Sequence, residues 1–212
     1  MKKLFIVSVI VLGLVCALQV QSVQATPTLS LSADGGATWT SVADGGTGDM
    51  NTLDGVVTFI GSIGNWALNV STGLTKPQVG SAILPFMDIA SLNSSTSAGT
   101  LLIKFTEDGF GPYDGGLYSA VGGTTQGTVG FETFLNGNAI NSFGPLRGAF
   151  SDSAWADLSI ATGSTIEMIA SISHSSAGVT SFDYQTKVPE PGTLLLLGTG
   201  LVGFAFFRRR TT

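Results

Sequence analysis

Hydrophobic and polar positions divide the chain into three zones. An almost unbroken apolar run covers residues 4–18, a second covers 193–207, and between them short apolar stretches alternate with polar residues and glycines. Strand-like runs rich in β-branched and aromatic residues fall at 28–32, 37–42, 56–60, 66–71, 101–106, 128–135, 146–151, 166–174 and 179–186. The clearest alternates Ile166, Met168, Ala170, Ile172 and His174 with Glu167, Ile169, Ser171 and Ser173. Side chains of a strand point to opposite faces in turn, so this period of two predicts antiparallel sheet with one face buried.

Turn chemistry separates the runs. Asp34-Gly35-Gly36, Asp44-Gly45-Gly46, Asp54-Gly55, Asp108-Gly109, Asp114-Gly115-Gly116 and Asn136-Gly137 offer the positive φ angles that tight hairpins demand. Away from the two ends no long stretch carries helical periodicity; Pro85–Leu92 reads as a short turn and Ser91–Gly99 as a polar loop. The expected fold is all-β: a single β-sandwich or jelly-roll-like ectodomain over 26–187, flanked by an N-terminal signal helix and a C-terminal transmembrane helix.

The first zone has a leader's order. Lys2 and Lys3 precede the apolar run, polar Gln19, Gln21 and Gln24 follow it, and Val23 and Ala25 place small side chains three and one positions before a cut. Export through the Sec translocon and release by signal peptidase at Thr26 are therefore expected. Cys16 is the only cysteine and lies inside the leader, after bulky Val15, which argues against lipoprotein processing. The mature chain then has no thiol for a disulfide, a nucleophile or a thiolate metal site.

Charge narrows the function further. Residues 26–187 hold 4 basic and 13 acidic side chains, an acidic balance that repels phosphate backbones and excludes nucleic acid as a partner. Glycine, at 24 of these residues, is about twice ordinary usage and fits a turn-rich sheet.

The third zone begins with Val188-Pro189-Glu190-Pro191-Gly192-Thr193, continues into the apolar run and stops at Arg208-Arg209-Arg210. Two prolines keep the Pro-Glu-Pro segment extended and open to a protease. The 15 apolar residues would make about 22 Å of helix, short of a ~30 Å hydrocarbon core. Three arginines favour the cytoplasmic side, which leaves Glu190 and the ectodomain outside. In this order of motif, apolar helix and basic stop, the chain resembles the PEP-CTERM proteins of exopolysaccharide-producing Gram-negative bacteria. The resemblance covers residues 188–212. It implies recognition near Pro189-Glu190-Pro191 by an exosortase, a membrane-embedded cysteine protease. Removal of the helix and delivery to the cell surface or extracellular matrix would follow. Gly55–Phe59 and Gly64–Gly73 also resemble the ectodomains of small PEP-CTERM proteins, a group that lends no activity.

Chemistry in the ectodomain is sparse. His174 is the only histidine and reads as a strand residue rather than a metal ligand or general base. No catalytic residues and no cofactor are expected. Asp44, Asp49, Asn51 and Asp54 crowd one glycine-rich loop as weak calcium candidates, off the EF-hand spacing, and Asp108 and Asp114 are weaker still. Glu107, Asp108, Glu132 and Glu167 supply acids from which a glycan-active pair is imaginable. Trp39, Trp66, Trp155, Tyr113, Tyr118 and Tyr184 supply aromatic surface for binding exopolysaccharide, with at least two tryptophans expected in the core. Three readings follow, in order: a non-enzymatic surface or matrix protein, a carbohydrate-binding module, and a glycan-active enzyme.

Overall fold

The computed structural model describes residues 26–188. They form β1 (Thr28–Ser32), β2 (Thr40–Ala43), β3 (Val56–Ile63), β4 (Trp66–Leu74), β5 (Phe86–Ser95), β6 (Gly99–Phe110), β7 (Tyr113–Asp114), β8 (Leu117–Leu135), β9 (Asn138–Ala156), β10 (Ser159–Ile160), β11 (Ser164–His174) and β12 (Gly178–Lys187). Among the described residues no helix is long and apolar enough to cross a membrane. The expected signal helix, with Cys16, Val23 and Ala25, and the expected transmembrane helix lie outside them.

Strand β11 shows how pattern becomes packing. Ile166, Met168, Ala170, Ile172 and His174 are all buried, while the residues between them are only partly covered. Its neighbours are β6 on one side and β8 on the other, both antiparallel.

The long strand β8 makes the architecture. Its first half, Tyr118–Thr125, pairs with β12, and its second half, Thr128–Leu135, pairs with β11. The chain passes from one sheet to the other at Gln126-Gly127, and β9 follows it over the same fold. Gly127 permits this because a Cβ there would overlap the carbonyl oxygen of Ser173. Sheet I is therefore β2-β1-β6-β11 with the second half of β8, and sheet II is β3-β4-β5-β12 with the first half. The β8–β9 hairpin turns on Asn136 and Gly137, at φ of 51° and 78°, the two positive angles of a tight two-residue loop.

The inner faces meet in a sandwich-like core. Phe131 of sheet I packs edge-on against Phe182 and Tyr184 of sheet II, with ring centroids 5.1 and 5.0 Å apart. Gly73 of β4 leaves room for the Phe105 ring of β6.

One expectation is corrected here. Pro85–Leu92 is not a turn, and of Ser91–Gly99 only 96–98 is a connection, because β5 occupies Phe86–Ser95 and pairs along its length with β4 and β12. Met87 and Ile89 face inward as an apolar strand should, but so do Ser91, Asn93 and Ser95. The serines find partners inside, Ser91 Oγ 2.8 Å from Ser71 Oγ and Ser95 Oγ 2.8 Å from His174 Nδ1, while Asn93 donates to Ser91 Oγ and leaves its own carbonyl oxygen unpartnered.

The sandwich has two unlike ends. At the closed end, short turns join strands at 64–65, 96–98 and 175–177. At the other, here the exit end, longer connections at 44–55, 75–85 and 111–116 gather around Thr26 and Val188, where the described chain begins and stops. Backbone bonds knit these loops: Asp44 N–H to Pro27 O, Thr75 N–H to Gly55 O and Gly111 N–H to Ala82 O.

Candidate functional site

Strand β12 ends on Lys187, and Val188 is still part of the fold. Its side chain is buried and its N–H donates to Pro85 O at 2.9 Å. Pro189, Glu190, Pro191, Gly192 and Thr193, with Arg208, Arg209 and Arg210, lie outside the described residues. In sequence, Pro189 directly follows a residue held by the core, so no spacer separates domain from motif.

Beside this exit, the register lines up a row of large side chains on the outer face of sheet II. Trp155 lies opposite Tyr118, Tyr118 opposite Lys187, and Lys187 opposite Phe86. Four strands at about 4.8 Å spacing make this row roughly 14 Å long. Lys187 Nζ sits 5.3 Å from the centre of the Phe86 ring. Trp155 is 48% exposed, and its indole N–H donates to Asp157 at 2.6 Å, which holds the ring in place. On the next rungs stand Gln185, Asp88 and Asp183. Burial, and then the Asp183 carboxylate, push Asp88 up to about 7; burial also raises Asp183.

The tryptophans depart from expectation. Only Trp66 is in the core, where its ring leans on His174 at 4.7 Å. Trp39 sits instead on sheet I's outer face, under Lys104 Nζ at 4.7 Å. It belongs to the turn before β2, and Trp155 to a strand hydrogen-bonded on one side only, so neither has a second layer to cover it. Tyr184 is fully buried against Thr133 and Thr186, and burial raises its hydroxyl pKa.

His174 is a core histidine with both ring nitrogens engaged, Nδ1 with Ser95 and Nε2 with Thr180 Oγ1 at 2.8 Å. Burial depresses its pKa. Its partners are hydroxyls, so the cluster lacks the carboxylate that would orient a base.

The acids are scattered by the fold. Glu107 points inward from β6, where the Lys76 ammonium and the Thr75 hydroxyl both donate to it. Burial raises its pKa, against those two hydrogen bonds. Glu132 and Glu167 project from the opposite, outer face of sheet I, where Glu167 lies 3.4 Å from Lys104 Nζ. Asp108 is exposed beside Glu107, and Asp114 accepts from Ser159 Oγ.

In the 44–55 loop the side chains serve the backbone. Asp49 accepts the N–H groups of Gly45, Asn51 and Thr58, Asp44 accepts that of Gly55, and Asn51 accepts that of Leu53. Among the described residues no group of three or more His, Cys, Asp or Glu is placed to hold a metal ion. A cavity of about 190 Å³ between Asp44, Asp54, Lys76 and Glu107 opens at the exit end.

Sequence reading passed over Phe86, Asp88 and Lys187. Phe86 and Asp88 fall in the segment read as a turn, and Lys187 meets its aromatic neighbours only through strand register.

A family model described as the PEP-CTERM protein-sorting motif matches residues 187–210, and the chain carries that motif. No curated protein matches the chain. Among solved structures, the chain is similar to the carbohydrate-binding module TmCBM61 in complex with beta-1,4-galactotriose, at 10% identity and TM-score 0.35 over 59% of this chain and 90% of that one. It is also similar to a family 35 carbohydrate binding module from Clostridium thermocellum, at 15% identity and TM-score 0.30 over 62% and 96%. A third is the PA14 sugar-binding domain from RTX adhesin, at 10% identity and TM-score 0.33 over 74% and 88%.

Proposed function

Because the chain carries a PEP-CTERM sorting motif, we propose that it is an exported, non-enzymatic surface or extracellular-matrix protein. The leader delivers it through the Sec translocon, and signal peptidase cuts after Ala25. The tail then holds the precursor in the inner membrane with the ectodomain in the periplasm. An exosortase acts near Pro189-Glu190-Pro191 and frees the domain for the cell surface. The observation that carries this reading is the motif at residues 187–210, beginning at the end of the last strand of the described residues.

Mass spectrometry of the native surface fraction tests it, with and without the exosortase. The expected product begins at Thr26 and has lost the tail. Arg208–Arg210 still present on released protein would overturn the reading.

A second reading, glycan binding by the ectodomain, is supported by the row of Trp155, Tyr118 and Phe86 at sugar-stacking spacing on one sheet face. Its flanking acids, Asp88 and Asp183, suit neutral rather than acidic polysaccharide. In affinity electrophoresis Trp155→Ala should weaken retention about tenfold, as loss of one stacking ring does. Unchanged retention would remove the row from consideration.

A further inference from the structure

The exit end carries an unusual share of the exposed apolar surface. Met50 is 66% exposed, Leu53 55%, Ile83 56% and Leu84 40%, and all four lie in its loops. Soluble proteins scatter such residues singly; four of them on two loops of one end call for a partner.

The loops that present them are held by the fold. Val56 N–H donates to Leu53 O, Met50 N–H donates to Thr58 O, and Ser81 N–H donates to Leu84 O. Ala82 O and Pro85 O, on either side of Ile83 and Leu84, accept from Gly111 and Val188. The second of these bonds joins the apolar turn to the last described residue.

Chain length says what faces this end. Four residues, Pro189 to Gly192, separate Val188 from the apolar run that starts at Thr193. Fully extended, the five steps from Val188 to Thr193 reach about 17 Å. The polar headgroup layer of a bilayer occupies roughly 7 Å of that. While the tail is in the membrane, the exit end therefore cannot stand off from it by more than about 10 Å. Thr26 begins at the same end, so both covalent approaches to the domain come from that side.

We propose that Met50, Leu53, Ile83 and Leu84 form a membrane-docking rim, by which the tethered precursor rests its exit end on a lipid bilayer surface. The proposal depends on the reading of the tail as a membrane tether. Tethering makes docking intramolecular, so a few shallowly inserted apolar side chains are enough to hold the orientation. Exposed Asp54, Asp108 and Asp114 lie on or beside the connections of the same end, which favours zwitterionic headgroups over anionic ones. Docking directs the closed end outward and holds Pro189 at the headgroup level, where a membrane-embedded protease works.

The test uses the full chain with Cys16→Ser, in vesicles of phosphatidylethanolamine with a minor share of phosphatidylglycerol. An environment-sensitive dye is placed in turn on Leu195→Cys, Leu84→Cys and Val179→Cys, and quenching by doxyl-labelled lipid is read. Expected is deep quenching at Leu195, shallow quenching with a blue shift at Leu84, and neither at Val179 near the closed end. A dye on Leu53→Cys should repeat the Leu84 result with Ile83 and Leu84 intact. Quenching at Leu195 without quenching at Leu84 or Leu53 would overturn the docking rim and leave the tether standing. An unquenched Leu195 would overturn both. Equal quenching at Val179 and Leu84 would show a domain lying on its side, and the rim would again be wrong.

Discussion

The two ends of the sandwich spend their polar groups differently. At the closed end Ser95, His174, Thr180 and Thr125 bond to one another in a buried chain under Trp66, and the strands are joined by turns of a few residues. At the exit end the loops are long, apolar side chains face solvent, and an ion pair between Lys76 and Glu107 lines the cavity that opens among them. The same sheets serve both. The difference teaches that one end is built to close the fold and the other to meet something outside it.

The sharpest way to break the comparison is at the fold-over. Gly127→Val places a branched side chain against the Ser173 carbonyl and the His174 ring, so either β8 fails to cross or the cluster opens. A loss of about 3 kcal/mol or more is expected in urea unfolding, since backbone cannot yield as a side chain can. A loss below about 1 kcal/mol would mean that the closed end is not the rigid one.

At the exit end, Lys76→Met keeps an unbranched apolar side chain but removes the ammonium that lies over Phe110, and strands the Glu107 carboxylate. The expected cost is about 3 kcal/mol at neutral pH. It should shrink as pH falls, because Glu107, already raised by burial, takes up a proton. A cost independent of pH would show that the pair is not the issue.

Titration sharpens the contrast with a smaller effect. Buried His174 has a folded pKa below its ordinary 6.5, so the unfolded chain binds the proton first, and stability is lost as pH falls below 6.5. Asp88 runs the other way: raised from 3.8 to about 7, it keeps its proton in the folded state, and stability falls as pH rises through that window. Asp88→Asn should therefore stabilise at pH 7 by about 1 kcal/mol, less than the shift alone implies because the group is only half-buried. Its stability curve between pH 4 and 7 should then lose the Asp88 contribution and keep those of His174, Glu107 and Asp183. The smallest effect belongs to Trp155→Ala, within about 0.5 kcal/mol in stability, because this exposed ring packs under no second layer.

Much of the fold was legible where polarity and burial coincide. Strand β11 follows its sequence pattern residue by residue, and Asn136-Gly137 marks the β8–β9 hairpin. Legibility failed where polar residues are inside. Strand β5 alternates correctly, but Ser91, Asn93 and Ser95 occupy its buried face, so half of it resembles a loop. The first half of β8 was missed for a related reason, since Gly122 and Gly123 leave it without the bulky residues that mark a strand. Of the candidate site, the sorting motif was readable because it is contiguous. The aromatic row was not, because Trp155, Tyr118, Lys187 and Phe86 come from four strands and meet only through register.

Strand β12 has neighbours on both sides, ten residue pairs with β5 and eight with β8. Anything that pulls on the tail, a translocating motor or a protease extracting its substrate, therefore loads both ladders along their length and must shear them together instead of opening one rung at a time. Under the proposed tether, tension on the tail would therefore enter the domain through a strand that is held on both sides.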